Sequence, residues 1–298
     1  MDYSLFLKQS PIVKAFFDKE TNTVSYIVAD RVSKKCAVID SVLNYEPHSA
    51  TVSYESADEI ISYIQKNNFT IEWILETHIH ADHLSAARYI KQKLGGKIAI
   101  SKSIEEVQNI FGDIFYEDNS FSRIASSFDY LFEADEEFFV GEVPARALYV
   151  PGHTPADIAY VIGDAVFVGD TIFMPDYGSA RCDFPGGSSS LLYVSVQKIY
   201  TLPNKMRLFV CHDYLPENRK EYAWETTIGE EKKNNIHLSE KVEQAEFVSM
   251  RTQRDQKLGM PKLIIPSLQV NLCGGDLPKN SNGDMYLKIP VNNIFSKK

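Results

Sequence analysis

The sequence feature that most constrains this chain is a run of ligand-type residues directly after a predicted strand. The strand covers residues 71–76 and leads into THIHADH, which places His78, His80, Asp82 and His83 within six residues. On an extended or loop backbone, such closely spaced side chains can converge on one point, where imidazole and carboxylate groups bind transition metals. The run therefore predicts a metal site at the end of a strand.

Three later segments add residues of the same kind. One predicted strand leads into PGHT with His153, a predicted hairpin ends at GDT with Asp170, and another strand leads into CHD with His212. Imidazole and carboxylate together suit zinc, iron, manganese or nickel, whereas calcium and magnesium prefer oxygen ligands alone. Seven such residues at strand ends favour a metal centre over isolated histidines that are satisfied by hydrogen bonds.

Composition restricts the class of protein and its partners. The 298 residues are 44% apolar and 24% charged, as in ordinary globular proteins, and the net charge of −9 argues against binding nucleic acid through its phosphates. Four widely spaced cysteines without a C-x-x-C pair fit a reducing compartment. No apolar run reaches the roughly 18 residues of a membrane helix, and the first residues lack a signal-peptide pattern. We therefore expect a cytoplasmic protein with neither nucleic-acid nor membrane partners.

The remaining pattern predicts a mixed α and β protein. Short β-like runs fill the first 40 residues, and the polar stretch 44–55 predicts a loop. Ser56 and Glu59 have the spacing of a capping box at the start of an amphipathic helix, and residues 84–94 predict a helix that ends at two glycines. Further helices are predicted at 189–201, around Glu230 and at 239–256.

No repeat or linker divides the chain. We therefore expect a single domain over residues 1–298, in which residues 226–298 form a helical and extended segment packed on the rest. The apolar residues at 263–265 and 268–270 could cover the core or form a dimer contact. The acidic run Glu133 to Glu137 predicts a solvated turn, and the two histidines outside the motifs, His48 and His237, are expected to face solvent.

The motifs THIHADH, PGHTP, GDT and CHD resemble those of the metallo-β-lactamase superfamily. The resemblance implies an α+β fold, the αββα four-layer sandwich, with the metal at the edges of the sheets. The superfamily includes glyoxalase II, β-lactamases, lactonases, nucleases, flavodiiron proteins and persulfide dioxygenases, and the seven ligand residues do not choose among them. A non-enzymatic member would be expected to have lost ligands, and all seven are present here.

Segments outside the ligands resemble one branch, the persulfide dioxygenases or sulfur dioxygenases, in particular their bacterial, β-lactamase-like-hydrolase-named members. The segments are YGSARCDFPGG at 177–187, CHDY at 211–214, TTIGEEK at 226–232 and NLCG at 271–274. A glyoxalase II would be expected to carry a helical C-terminal region with basic contacts to glutathione, and we see no such pattern in the sequence.

This resemblance implies one Fe(II) ion per chain, held by His78, His153 and Asp170. Two histidines and one carboxylate leave positions open for dioxygen and for a substrate sulfur. The implied reaction converts glutathione persulfide, dioxygen and water to glutathione and sulfite, which would detoxify sulfide. Members of the family often self-associate, so a homodimer or higher homo-oligomer is expected.

The other four ligand-type residues have two possible roles. In the iron enzyme, His80, Asp82, His83 and His212 would hydrogen-bond the ligands and water and fix histidine tautomers. They could equally complete a second metal site. Two zinc ions bridged by Asp170 would then hydrolyse a thioester or a lactam, as in glyoxalase II or β-lactamases.

Substrate contacts are expected in the segment that follows GDT. Arg181 is a candidate for binding a glutathione carboxylate, because a guanidinium group pairs with carboxylates in a bidentate manner; the alternative is a structural ion pair with Asp183. Tyr177 and Tyr214 could orient substrate or water, or serve in packing. Cys273 resembles a family cysteine near the glutathione pocket and could take part in redox or persulfide chemistry.

Overall fold

Two six-stranded sheets form the centre of the structure, a computed structural model that describes residues 3–115 and 127–291. In spatial order the first sheet contains β1 (Ile12–Asp18), β2 (Thr23–Ala29), β3 (Lys35–Ile39), β6 (Thr70–Leu75), β8 (Lys97–Ser101) and β9 (Tyr130–Phe132). The second contains β10 (Glu136–Val140), β11 (Val143–Tyr149), β12 (Ile158–Ile162), β13 (Ala165–Phe167), β14 (Arg207–Phe209) and β15 (Glu225–Thr227). A small third sheet has the order β5 (Thr51–Ser53), β4 (Val42–Glu46) and β7 (Leu84–Ser85).

Helices cover the outer faces of the two large sheets. The first sheet packs against α1 (Glu55–Lys66), α2 (Ala87–Leu94), α3 (Ile104–Phe115) and α7 (Ile264–Asn271). The second packs against α4 (Ser189–Tyr200), α5 (Ile228–Asn234) and α6 (Gln244–Asp255). None of the helices among the described residues is long and apolar enough to cross a membrane.

Buried side chains between these elements explain the layering. Because successive residues of a strand point to opposite faces, Val24, Tyr26 and Val28 of β2 face the second sheet, where they meet Tyr160 and Phe167. The outer faces of both sheets carry separate apolar clusters under their helices. The resulting order of helices, sheet, sheet and helices confirms the αββα sandwich.

The polar stretch at 44–55 is not a loop, as its composition predicts, but contains strands β4 and β5 joined as a hairpin. Helix α1 begins at Glu55, and Ser56 does not cap it; its hydroxyl instead donates to Asp18 and accepts from the amide of Asn44. Tertiary contacts, which local pattern does not report, decide both features.

Two other predicted helices begin later than expected. Residues 84 and 85 form strand β7 against β4, so that α2 begins at Ala87, and α6 begins at Gln244. The apolar residues near 264–270 form α7 and lie in the core under the first sheet. This agrees with the expectation that they cover the core.

Candidate metal centre

Parallel strand pairs bring the predicted ligands to one edge of the sandwich. β3 and β6 run parallel, as do β13 and β14, so the residues that follow each pair leave at the same edge. The ligand atoms then fall into two groups, within each of which they lie within 4.8 Å of one another. One group is His78, His153 and Asp170; the other is His80, Asp82, His83 and His212. The structure therefore brings all seven predicted residues together.

In the first group, each histidine keeps one ring nitrogen free for a metal. His153 Nδ1 lies 2.7 Å from the carbonyl oxygen of Arg181, and His78 Nδ1 lies 3.0 Å from the hydroxyl of Thr77. The opposite nitrogens point toward Asp170 Oδ2, at 3.9 Å for His78 and 3.7 Å for His153. Burial lowers the pKa of His78 well below its ordinary value, so its imidazole is neutral and can donate a lone pair.

His80 is held from the opposite direction. Its Nε2 lies 3.1 Å from Asp40 Oδ1 and 3.5 Å from Glu76 Oε2, and all three side chains are buried. Asp40 reaches this position because it directly follows β3, and it also accepts hydrogen bonds from the backbone and hydroxyl of Thr77. His80 Nδ1 therefore faces the centre.

The remaining two histidines complete the second group. His83 Nδ1 lies 3.4 Å from Thr23 Oγ1, and His212 Nδ1 lies 3.2 Å from the carbonyl oxygen of Asn22. The other nitrogen of His212 lies 3.2 Å from Asp82 Oδ2 and 3.3 Å from Asp170 Oδ1. Asp170 thus presents one carboxylate oxygen to each group, which allows one ion or a bridged pair.

The chemistry of these atoms fits a metal ion. Five buried atoms of the two ligand groups have no hydrogen-bond partner among the residues that the structure describes: His78 Nε2, His80 Nδ1, His83 Nε2, Asp170 Oδ1 and His212 Nε2. Leaving a buried polar atom without a partner costs about 1–3 kcal/mol, and such atoms rarely occur together. A metal ion in the first group would satisfy His78 Nε2, and the atoms of the second group would need a second ion or water.

A cavity of about 1010 Å³ opens over the centre, with Asp82, His153 and Asp170 in its wall. Tyr177 and Tyr214 line it and stack on each other with ring centroids 5.1 Å apart. Neither hydroxyl has a hydrogen-bond partner within the part of the chain that the structure describes. Both hydroxyls are therefore available for a hydrogen bond, while a substrate contact of either residue stays a prediction.

Arg181 also lines the cavity, but its guanidinium group is largely occupied. Its Nε and Nη2 donate to the two carboxylate oxygens of Asp183 at 2.6 Å, and its Nη1 donates to the carbonyl of Gly259 at 2.7 Å. The hydrogen bond to Asp183 raises the pKa of Arg181. The ion pair considered as the alternative is thus present, while a substrate contact of Arg181 stays a prediction.

Basic residues from the C-terminal region reach the cavity, which the sequence pattern did not predict. Arg251 and Arg254 of α6 and Lys262 after it line the wall. Arg254 and Lys262 form no ion pair among the described residues, whereas Arg251 pairs with Asp255. We saw no helical C-terminal pattern of basic residues in the sequence, and the structure does place basic side chains of this region in the cavity wall. The spacing of Arg251 and Arg254, on one face of an amphipathic helix, was the signal. A contact of these side chains with glutathione stays a prediction.

The expectation that both remaining histidines face solvent holds for His48 and is wrong for His237, which is only 8% exposed. His237 Nδ1 accepts a hydrogen bond from the backbone N–H of Ser179 at 3.0 Å, and its ring lies against Gly178. Burial, with the charges of Arg254 and Arg251, lowers the pKa of His237 to about 4. A neutral His237 therefore holds the backbone at Ser179. Two residues later in the same segment, the carbonyl of Arg181 orients His153.

Among the cysteines, Cys211 lies beside the centre, with its Sγ within 4.8 Å of a ligand atom of Asp170 and of His212. Cys36, Cys182 and Cys211 are buried, and burial raises the pKa of each thiol, which lowers its reactivity. Cys273 is partly exposed and does not line the cavity. Its redox role stays a prediction.

Known proteins resemble the chain at the level of sequence. A beta-lactamase hydrolase-like protein of Xylella fastidiosa is 47% identical over 95% of this chain, which spans 65% of that protein's length. Glyoxylase B2 of Dictyostelium discoideum is 46% identical over 94% of this chain and 97% of its own. The human mitochondrial persulfide dioxygenase ETHE1 is 26% identical over 68% of each chain.

Structure and family comparison agree on the fold. The crystal structure of ETHE1 from Myxococcus xanthus matches with a TM-score of 0.70 and 27% identity, covering 89% of this chain and all of that one. The model of the metallo-beta-lactamase superfamily matches residues 19–212, which include all seven ligand-type residues. The chain therefore belongs to the metallo-beta-lactamase superfamily.

Proposed function

We propose that the protein is a glutathione-dependent persulfide dioxygenase with one Fe(II) ion per chain. The observation that carries the proposal is the group His78, His153 and Asp170, two imidazole nitrogens and one carboxylate beside a large cavity. This donor set is typical of non-haem iron oxygenases. The likeness to two proteins named ETHE1, one of them named a persulfide dioxygenase, supports the same activity.

The proposed reaction converts glutathione persulfide, dioxygen and water to glutathione and sulfite. The terminal sulfur is oxidised, dioxygen is reduced, the sulfur–sulfur bond breaks, and the glutathione sulfur leaves as a thiol. When bound, iron would supply the redox chemistry that joins dioxygen to sulfur.

The residues of the chain would bind and orient the substrate. The cationic groups of Arg254 and Lys262 face the cavity without an ion-pair partner in the described part of the chain, which suits the carboxylates of glutathione. The free hydroxyls of Tyr177 and Tyr214 could hydrogen-bond the substrate near the centre, since the Tyr214 ring stacks on His212 with centroids 5.7 Å apart.

Metal analysis combined with oxygen uptake tests the proposal. Protein purified without air should contain about one iron per chain and consume dioxygen only when glutathione persulfide is added. Asp170→Asn should lose both properties. Asp164→Asn is the control. Asp164 lies in the turn between β12 and β13 and pairs with Arg207, not with the centre. Two zinc ions with no oxygen uptake would overturn the proposal.

A second candidate is a dinuclear zinc hydrolase that acts on a thioester or a lactam. It is favoured by the complete second group and by Asp170, which presents one oxygen to each group. The high identity to a protein named glyoxylase B2, and basic residues on a C-terminal helix, are in line with it. Hydrolysis of S-lactoylglutathione by the zinc-loaded protein would select this candidate.

We also propose that the protein works in the cytoplasm as a homodimer or higher homo-oligomer. Three buried cysteines that form no disulfide, Cys36, Cys182 and Cys211, support a reducing compartment. Exposed apolar side chains in the C-terminal segment, among them Ile289 and Val291, support self-association. Light scattering after gel filtration tests the oligomeric state, and a monomer at micromolar concentration would contradict it.

A further inference from the structure

Asn271, at the C-terminal end of α7, forms hydrogen bonds with the backbone of the loop that carries the histidine motif. Its side-chain Nδ2 donates to the carbonyl oxygens of His80 and His83, both at 2.8 Å, and its Oδ1 accepts from the backbone N–H of Ser85 at 2.7 Å. The Asn271 side chain is buried, with 3% of the residue exposed. One amide therefore joins three backbone groups on either side of Asp82.

The loop needs such a contact because residues 76–83 have no helix or strand of their own. Buried backbone carbonyls must find donors, and here the donor comes from nearly 190 residues further along the chain. Ser85 is also linked to His80 through Glu76. The Ser85 hydroxyl donates to one carboxylate oxygen of Glu76, and the other oxygen lies 3.5 Å from His80 Nε2. Residues that hold ligands in place commonly set metal affinity.

We infer that Asn271 is a positioning residue that sets the affinity of the centre for its metal. It acts through the backbone of His80 and His83 and touches neither metal nor substrate. The inference rests on the metal centre that both candidate reactions require, and not on the choice between them. Failure of the dioxygenase assay would therefore leave it standing.

The chain offers a closely matched control two residues earlier on the same helix. Gln269 is buried to the same degree, and its amide makes the same pattern of bonds: Nε2 donates to the carbonyls of Ile265 and Lys288, and Oε1 accepts from the N–H of Lys288. These bonds hold the C-terminal segment and not the histidine loop. Loss of either amide should destabilise the fold similarly, but only one should affect the metal.

The experiment compares zinc binding by apoprotein of the wild type, Asn271→Ala and Gln269→Ala, in competition with a chromophoric chelator and at a temperature where all three are folded by circular dichroism. Removal of Asn271 should weaken zinc binding about 10- to 100-fold, as loss of a residue that supports a ligand does. The zinc affinity of Gln269→Ala should stay within about twofold of the wild type, because Gln269 supports no ligand. Equal zinc affinities in the two variants would overturn the inference.

A second measurement needs no variant and so does not depend on whether Asn271→Ala folds. Because coupling is reciprocal, zinc bound to the wild-type centre must strengthen the docking of α7. Amide hydrogen exchange in residues 264–276 should slow when zinc is added, and more so than in α1, which lies outside this contact. Exchange in 264–276 that does not respond to zinc would contradict the inference.

Discussion

Single residues decide which charges a substrate meets. Arg181 lies in the cavity wall, yet its guanidinium group is bound by Asp183 and the Gly259 carbonyl, whereas Arg254 has no acidic partner among the described residues. Geometry thus makes Arg254 the better candidate for an incoming carboxylate. The sequence pattern pointed to Arg181 because that residue lies in the motif.

Replacing Arg254 with Ala should raise the KM for glutathione persulfide up to about fivefold with little change in kcat, since an exposed ion pair contributes up to about 1 kcal/mol. The measurement is the steady-state rate of oxygen uptake. Lys257→Ala, which removes an equal charge outside the cavity, is the control. A fall in kcat with unchanged KM would argue against a binding role.

His237 gives the fold a defined response to pH. Its pKa in the folded protein is about 4, below the roughly 6.5 of an unfolded chain, so its contribution is complete above pH 6.5 and declines as the pH falls toward 4. His237→Asn keeps an acceptor for Ser179 but cannot titrate. The variant should lose less stability than the wild type between pH 6.5 and 4, measured by urea unfolding of metal-loaded protein.

The control for this comparison is His48→Asn, which removes an exposed histidine and should keep the wild-type dependence on pH. Arg254 and Arg251 are the charged groups that face His237 from α6, and both favour its neutral form. If the free energy of unfolding fell equally with pH in the wild type and in His237→Asn, His237 would not be the source of the pH dependence.

Among the elements, the C-terminal helices and the residues that flank them make several of the contacts that hold the segment 177–183. Asn235 donates to the carbonyl of Gly178, Arg251 donates to the carbonyl of Ser179, and Asp255 accepts from the N–H of Cys182. The same segment supplies the carbonyl that fixes the His153 tautomer. Helices outside the ligand motifs therefore support the centre.

Gly178 is the position in this segment that tolerates no side chain. Its φ is +101°, and an added Cβ would lie 2.2 Å from His237 Nδ1. Gly178→Ala should lower the free energy of unfolding by about 2–4 kcal/mol through strain and overpacking, which chemical denaturation measures. Gly259→Ala meets no atom within 4 Å and should be nearly neutral. Similar losses in both variants would refute this account.

The sequence predicted the elements that carry a strong local pattern and missed those that depend on distant partners. The strands before His78, His153 and His212 and the hairpin before Asp170 were predicted from buried runs and turn residues. The β4–β5 hairpin was missed because its polar residues are satisfied by other elements, as Asn44 is by Asp18.

The site shows the same division. All seven ligand-type residues were predicted, because each lies in a short motif directly after a predicted strand, and such strand ends can bring their side chains together. The supports of the ligands, Asp40, Asn271 and His237, were not recognised as supports. Asn271 opens the NLCG segment, but like the other two it acquires its role only from the fold.

At the scale of the whole molecule, the metal should contribute to stability. Removing it from the first group would leave buried ligand atoms such as His78 Nε2 without partners among the described residues. At a metal concentration about 100 times Kd, binding contributes about 2.7 kcal/mol, which shifts Tm by roughly 5 °C for a chain of this size. Calorimetry of chelator-treated and reloaded protein measures the shift. An unchanged Tm would mean that the apo centre satisfies these atoms in another way.

The hydrogen bonds of Asn271 also have a consequence for biosynthesis. The histidine loop is synthesised nearly 190 residues before the amide that holds it, which at about 5–20 residues per second is a delay of roughly 10–40 s. During that time the four ligand-type residues at 78–83 have left the ribosome without their final support. Under the inference that Asn271 sets the metal affinity, the centre reaches its full affinity only after α7 has been translated and has docked.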